Sequence, residues 1–122
     1  MPSTKQHIDQ ARSNALFLST LDPKTTHHPD WSITVAFYTA VHLVDACLAA
    51  ANVHPGSHDQ RGKAVVQYLG SVEGHYMALY SECRRARYYC QNVTNVQAQL
   101  QIQWHYVPVR DGLCSQLGIL PV

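Results

Sequence analysis

The sequence has little charge, which limits the partners it can bind. Only 14% of its 122 residues are Asp, Glu, Lys or Arg, and the formal net charge is +1, whereas about 25% charged residues is usual for a soluble domain. So small a positive charge excludes the broad basic surface that drives non-specific nucleic-acid binding. It also predicts that a second copy of the chain covers part of the surface, giving a homodimer.

Apolar runs and paired cysteines are also missing. Residues 1–7 lack the apolar core of a signal peptide, and no uninterrupted apolar run approaches the roughly 20 residues of a membrane span. These absences predict a cytoplasmic protein with no membrane partner. The cysteines form no C-x-x-C pair, which predicts buried thiols rather than disulfides or zinc ligands. They are Cys47, Cys83, Cys90 and Cys114.

Motifs for metal ligation and for common catalytic centres are absent too. The chain has eight histidines, and imidazole is the commonest ligand for zinc and related metals. There is, however, no HExxH or Glu-x-x-His motif and no histidine pair at four-residue spacing within a predicted helix. Nucleophilic triads, glycine-rich phosphate loops and paired catalytic carboxylates have no local pattern either. We therefore predict no metal and no cofactor.

What the chain does have is the apolar period of three to four residues that is typical of amphipathic helices. Segments rich in proline, glycine and polar residues separate the helical patterns, and no run alternates as a strand would. The sequence predicts one all-α domain over residues 1–122, an antiparallel up-and-down bundle of four to five helices. The predicted helices cover residues 5–21, 30–51, 57–69, 72–89 and 93–117, with Pro108 interrupting the last.

The second predicted helix is apolar on nearly every side, which is typical of a buried central helix. We expect Asp30 to cap its amino end, and Ser57 with Gln60 to form the capping box of the next helix. Within the second helix, Tyr38, His42 and Asp45 share one face. Buried polar groups cost a few kcal/mol unless they are hydrogen-bonded. This stripe therefore predicts partners on a neighbouring helix or in a ligand.

Three groups of residues are candidate partners for the stripe. His54, His58 and Arg61 come from the following loop and helix, and the fourth helix supplies Arg84, Arg85 and Arg87 with Tyr88 and Tyr89. A structural interpretation stays open for each group: a core pair for His42 and Asp45, a solvated helix start for His58 and Arg61, and a solvated or intersubunit face for Arg84 and Arg85. Arg87 is predicted to face the core.

Five short motifs with aromatic, histidine and arginine residues follow one another between residues 3 and 89. They are Asp30-Trp31, Phe37-Tyr38-x-x-x-His42-x-x-x-Ala46, His54-Pro55, His58-x-x-Arg61 and Ala86-Arg87-Tyr88. Their order and spacing resemble the small stand-alone HEPN domains of bacteria and archaea. The resemblance implies a helical bundle that dimerises so that polar residues of two protomers meet in one cleft. It also implies a superfamily that contains metal-independent RNases, modules that bind nucleotides or RNA, and partners of nucleotidyltransferases.

The chain departs from the nuclease pattern of that family, in which four to six residues separate an arginine from a histidine. From Arg87 the eligible positions hold Asn92, Val93 and Thr94, and no other arginine has a histidine at that distance. The resemblance therefore favours a binding role over catalysis by the family's mechanism.

Our first hypothesis is a homodimeric HEPN-like module that binds a nucleotide or RNA, in a toxin–antitoxin or defence context and with a nucleotidyltransferase as a possible partner class. Arg61 and Arg87 would bind phosphate and Tyr88 would stack on a base. The cleft would be lined by Tyr38, His42, Asp45, His58, Arg61, Arg87 and Tyr88.

Two alternatives stay open. The first is an RNase with a rearranged site, in which His42 or His58 is the general base and Arg87 stabilises the phosphate. The second is a purely structural partner domain. It would require the polar groups to saturate one another, with Asp45 as the expected partner of a buried Arg87.

Overall fold

The computed structural model describes all residues 1–122 and is all-helical, with 75% helix and no strand. This confirms the predicted fold class, and the predicted helix boundaries agree with the observed ones to within a few residues. The last two helices follow each other without a break through a π-helical turn at Ile102–Tyr106. The helices are α1 (Thr4–Ser19), α2 (Pro29–Ala50), α3 (His58–Tyr68), α4 (Glu73–Tyr88), α5 (Asn95–Gln101) and α6 (Val107–Leu117).

Helix starts follow local sequence signals, with two corrections. Ser3 caps α1, and the Ser57 hydroxyl accepts from the backbone N–H of Gln60 at the start of α3, as predicted. The Gln60 side chain instead accepts from the backbone N–H of Gly56, so the capping box is only half formed. The prediction that Asp30 caps α2 is wrong. Pro29 is the first helical residue, a position that suits its fixed φ and missing N–H, and Asp30 lies in the first turn.

Helix α2 is the centre of the bundle, and 15 of its 22 residues are buried. Helices α1 and α4 run antiparallel to it on either side, and α6 packs against it as well. Its buried hydroxyls are satisfied because Thr39 donates to the carbonyl of Val35 one turn back and Ser32 donates to the carbonyl of Leu21. Polar residues in this apolar helix therefore cost little free energy.

The length of α2 bears on the membrane prediction. A window of this 22-residue helix has a mean hydropathy of 1.6, so by length and composition alone it could span a bilayer, although polar residues interrupt its apolar sequence. In the fold, 78% of that window is buried among the other helices. The same properties are typical of a core helix.

The rod formed by α5 and α6 shows how the chain accommodates Pro108. A proline inside an α-helix lacks an N–H and clashes with the carbonyl four residues before it. Here the wider π-helical turn precedes α6, and Pro108 lies in the first turn of α6. Gly118 ends the helix with a left-handed backbone (φ 70°). The predicted interruption at Pro108 is thus a change of helix type within one continuous rod.

Cysteine thiols are free, as predicted, and three of the four are buried. Burial raises the pKa of the Cys47 thiol to about 11, so it stays protonated and inert in the core. The exception is Cys90, which is exposed just after α4.

Two histidine pairs join neighbouring helices. The Nδ1 atoms of His7 (α1) and His42 (α2) lie 3.2 Å apart, and those of His75 (α4) and His105 (π-helical turn) lie 3.0 Å apart. Each contact requires one ring to donate and the other to accept, so the two Nδ1 atoms of a pair cannot both carry protons. Burial lowers the pKa values of His7, His42 and His105, and in His42 and His105 the partner imidazole lowers it further.

Charged groups near the two histidine pairs raise some of their pKa values and lower others. Asp45 raises the pKa values of His7 and His42, whereas Arg61 lowers both and His54 lowers that of His7. Glu82 raises the pKa of His105. Because desolvation is the largest cause in every case, the folded protein favours neutral rings.

We predict that mild acid destabilises the fold. The unfolded chain takes up protons near the ordinary histidine pKa of about 6.5, whereas the folded rings resist protonation. This contribution to stability is therefore complete above about pH 6.5 and is lost as the pH falls through the lowered folded pKa values. Urea unfolding between pH 7.5 and 5.5 should give a falling free energy of unfolding. His7→Leu should reduce that slope, whereas His27→Leu, at an exposed position, should not. Equal slopes in all three proteins would contradict the prediction.

Candidate functional site

The predicted polar stripe on α2 is held by an ion pair with α3. The Asp45 carboxylate accepts from Arg61 Nε at 2.8 Å and from Nη2 at 3.0 Å, a bidentate arrangement. The two side chains are only 10% and 12% exposed. The remaining Arg61 nitrogen, Nη1, lies 3.2 Å from His58 Nδ1. Arg61 is thus occupied by two protein partners.

This contact also fixes the protonation of His58. A guanidinium can only donate, so His58 Nδ1 must accept and the ring proton must lie on Nε2. The pKa of His58 is lowered by burial, then by the nearby Arg61 and Arg84. At neutral pH His58 is therefore an uncharged imidazole.

A buried phenol lies close to the same ion pair. The Tyr76 hydroxyl is buried without a hydrogen-bond partner. Burial raises its pKa, and the opposing influences of Arg61 and Asp45 place it beside the ion pair. The sequence analysis did not single out Tyr76, whose position in an apolar pattern on α4 indicated only a core residue.

At the other end of α2, Arg87 binds a different carboxylate from the one expected. Arg87 Nη2 donates to Asp30 in the first turn of α2, and its guanidinium lies 4.2 Å from the centre of the Trp31 ring. The expected pairing of Arg87 with Asp45 is wrong. The two carboxylates are fifteen residues apart on α2, or about 22 Å at 1.5 Å per residue, so one arginine cannot serve both.

The seven predicted ligand residues therefore do not line one cleft within a single chain. His42 binds His7 and Asp45 binds Arg61 at the carboxyl end of α2, whereas Arg87 lies at its amino end. Tyr38 lies between these two groups, with its ring centre 6.3 Å from that of His58. Tyr88 is exposed at the end of α4.

A continuous row of rings connects the middle of α2 to the end of α4. His58 lies 5.5 Å from the Tyr80 ring, and the Arg84 guanidinium lies 5.7 Å from Tyr80 and 5.5 Å from Tyr88. Arg84 Nη1 also donates to the Tyr80 hydroxyl at 3.3 Å. We call this row the aromatic face, and it consists of Tyr38, His58, Tyr80, Arg84 and Tyr88.

Two members of the aromatic face, Tyr80 and Arg84, were not among the predicted site residues. Residues 80, 84 and 88 follow one another at intervals of about one helical turn, which places them on one side of α4. This spacing is the signal that could have identified Tyr80 and Arg84 from the sequence. Tyr38 is half-exposed, and burial of its other side raises the pKa of its phenol. Tyr38 therefore presents a neutral hydroxyl at neutral pH.

A shallow cleft borders the aromatic face between α3 and α4. Its volume is about 260 Å³, and its lining includes His58, Lys63, Met77 and Tyr80. A second cavity of about 380 Å³ lies at the carboxyl end of α2 and is lined in part by His7, Asp45 and His54. Nowhere do three or more His, Cys, Asp or Glu side chains converge as metal ligands would.

No family model matches the chain, and comparison with curated proteins and with solved structures found no match. The resemblance to HEPN domains therefore stays a prediction.

We predict that the Asp45–Arg61 pair is essential for stability. Arg61→Ala should lower the free energy of unfolding by about 3 to 5 kcal/mol, because it leaves a buried carboxylate without its partner. Urea denaturation followed by circular dichroism measures this effect. Lys63→Ala is the matched control on α3, since it breaks an exposed ion pair with Asp59 and should cost less than about 1 kcal/mol.

Replacing both partners tests the mechanism. Asp45→Leu with Arg61→Met removes both charges and keeps much of the volume, so most of the lost stability should return. A double variant as unstable as Arg61→Ala would show that the loss comes from packing rather than from the stranded charge.

Proposed function

We propose that the chain is a non-catalytic helical module that binds single-stranded RNA on its aromatic face. The observation that carries the proposal is the environment of Arg84. Of the six arginines in the sequence, Arg84 alone has no carboxylate within 4 Å. It lies instead against two tyrosine rings and is exposed.

An exposed arginine between aromatic rings suits the chemistry of a nucleotide. The guanidinium can donate two parallel hydrogen bonds to a phosphate. Aromatic side chains can stack on successive bases, at about 1 to 3 kcal/mol per base. Tyr88 and Tyr38 are the exposed tyrosines of the face and provide such surfaces.

The neighbouring cleft supports the same proposal. His58 and Tyr80 belong to both the face and the cleft, and Lys63 adds a second cation at its edge. Lys63 is held by Asp59, but that pair is exposed and exposed pairs are weak. A strand that follows the rings from Tyr88 to His58 would thus reach a second phosphate contact.

The low net charge sets the expected strength of binding. A chain with a formal charge of +1 offers few phosphate contacts, so stacking has to supply much of the affinity. The logarithm of the binding constant should then fall only slowly with the logarithm of the salt concentration. Each phosphate contact adds about 0.7 to the magnitude of this slope for a single strand.

The RNase alternative receives less support. His42 is bonded to His7, and along α2 it is about 16 Å from Trp31, on which Arg87 lies. His58 contacts Tyr80, which is seven residues, or about 10 Å, from Arg87 along α4. Neither histidine shares a phosphate-sized space with Arg87 in one chain.

The purely structural alternative explains part of the predicted site. His42, Asp45, Arg61 and Arg87 each have a protein partner, although the buried Arg87 Nε has none; the saturation that this alternative requires is therefore met only in part. It does not explain why Arg84 and Tyr88 are exposed and why Arg84 has tyrosine contacts but no carboxylate partner. RNA binding is therefore assigned to the aromatic face, and the ion pairs are assigned to stability.

Fluorescence anisotropy with a labelled single-stranded RNA of about ten nucleotides tests the proposal. Arg84→Ala and Tyr88→Ala should each weaken binding at least tenfold, which corresponds to about 1.4 kcal/mol. Their melting temperatures should stay close to that of the wild type, because both side chains are exposed. A duplex RNA should bind less tightly, since its bases cannot stack on the rings.

Matched controls lie elsewhere on the surface. Tyr68→Ala removes an exposed tyrosine from α3, and Arg110→Ala removes an arginine from α6; neither should change RNA affinity more than twofold. No binding by the wild type, or equal losses in the control variants, would contradict the proposal. Competition by a mononucleotide would show that the base and phosphate of one unit are sufficient for recognition.

A further inference from the structure

The cleft between α3 and α4 is lined by both apolar and polar groups. Gly62, Val66 and Met77 supply apolar surface, and His58 and Asp59 in the first turn of α3 supply polar atoms. Pockets for drug-sized ligands have volumes of about 300 to 1,000 Å³. A cleft of about 260 Å³ therefore suits a smaller ligand, such as a single planar base.

His58 presents a hydrogen-bond donor of fixed position to this cleft. Its Nδ1 accepts from Arg61, so the ring proton lies on Nε2. Arg61 is itself held by Asp45, and this tautomer is therefore set before any ligand arrives. Nε2 donates to no atom of the chain, so it is free to donate to an acceptor in the cleft.

Asp59 places an acceptor next to this donor. Its Oδ2 lies 3.1 Å from Lys63 Nζ, and the two side chains are 79% exposed, so the carboxylate stays accessible. A carboxylate has about four lone-pair sites and can accept two parallel N–H bonds while it keeps a third partner. The cleft thus combines one fixed donor with an acceptor for two donors.

We propose that this cleft binds a guanine base of the single-stranded RNA, an inference that rests on the proposed function. Guanine alone among the four RNA bases has donors on two neighbouring positions, N1–H and the N2 amino group, beside the carbonyl acceptor O6. Asp59 accepts from both donors, and His58 Nε2 donates to O6. The faces of the base pack against Val66 and Met77.

The other three bases leave part of this set unpaired. Adenine and cytosine turn a ring-nitrogen acceptor toward the carboxylate beside their amino group, and uracil has one donor between two carbonyl oxygens. A site built to hydrogen-bond its ligand rejects analogues that leave its polar groups without partners. Because Tyr80 and His58 belong to both the cleft and the aromatic face, one strand can reach both. The cleft then adds base specificity to stacking, which tolerates any base.

Fluorescence anisotropy with three labelled RNAs of about ten nucleotides tests the inference. All positions are uridine except a central one, which holds guanosine, inosine or adenosine. The wild type should bind the guanosine RNA at least tenfold more tightly than the adenosine RNA, a discrimination that one bidentate base contact can supply. The inosine RNA lacks the N2 amino group and should bind with intermediate affinity.

Asp59→Asn tests the assigned acceptor. The carboxamide can pair with adenine as well, so the preference for guanosine should fall below twofold or reverse. If Asp59 served only to hold Lys63, this variant would free the lysine, strengthen binding of every RNA and keep the preference. Asp111→Asn is the matched control, because Asp111 is an exposed carboxylate on α6 that pairs with Arg110, and it should keep the preference. Circular dichroism should show unchanged helix content in both variants, since both positions are exposed.

The results separate this inference from the proposed function. Tyr88→Ala should weaken binding of the guanosine and adenosine RNAs by similar factors, because stacking does not distinguish the bases. Equal affinities of the wild type for the three RNAs, or a preference that persists in Asp59→Asn, would overturn the guanine site and leave RNA binding on the aromatic face standing. No binding of any RNA by the wild type would contradict both.

Discussion

The structure depends on the burial of α2. This helix contributes more buried side chains than any other, and all five other α-helices pack against it. A helix surrounded in this way has to satisfy every polar group it carries within the protein. The placement of Asp45 forces Arg61 to turn inward from α3, and the placement of His42 does the same for His7 on α1. The polar residues of α2 thereby fix the positions of its neighbours.

The same constraint separates the residues that stabilise the fold from those that are free to bind. Arginines that reach α2 are neutralised by its carboxylates, Asp45 at one end and Asp30 at the other. Arg84 lies one turn before Arg87 on α4, where no carboxylate is within reach, and it contacts only tyrosine side chains. Availability for a ligand therefore depends on whether a carboxylate of α2 lies within reach of the arginine.

Much of the fold could be predicted from the sequence because it depends on local signals. The apolar period located the helices, and Ser57 marked the start of α3. The stripe of Tyr38, His42 and Asp45 was also visible as a set of polar groups in need of partners. Its partners could not be predicted. Whether Arg61 or Arg87 binds Asp45 depends on which part of α2 lies next to each arginine, and this is set by the packing of α3 and α4 rather than by local sequence. Tyr80 was overlooked because alone it is an ordinary residue of an amphipathic helix, and Arg84 was a candidate partner of the stripe for which a solvated or intersubunit face was the alternative interpretation.

Burial of α2 also determines how the protein opens. Backbone amides exchange with solvent only when their hydrogen bonds open, and those of the most buried element require global unfolding. The amides of α2 should therefore exchange last, whereas those near Tyr88, at the exposed end of α4, should exchange early. The aromatic face thus spans the most and the least protected parts of the bundle. A ligand that bridges Tyr38 and Tyr88 would slow exchange at the end of α4 while leaving α2 unchanged, so amide exchange can locate its footprint without any substitution.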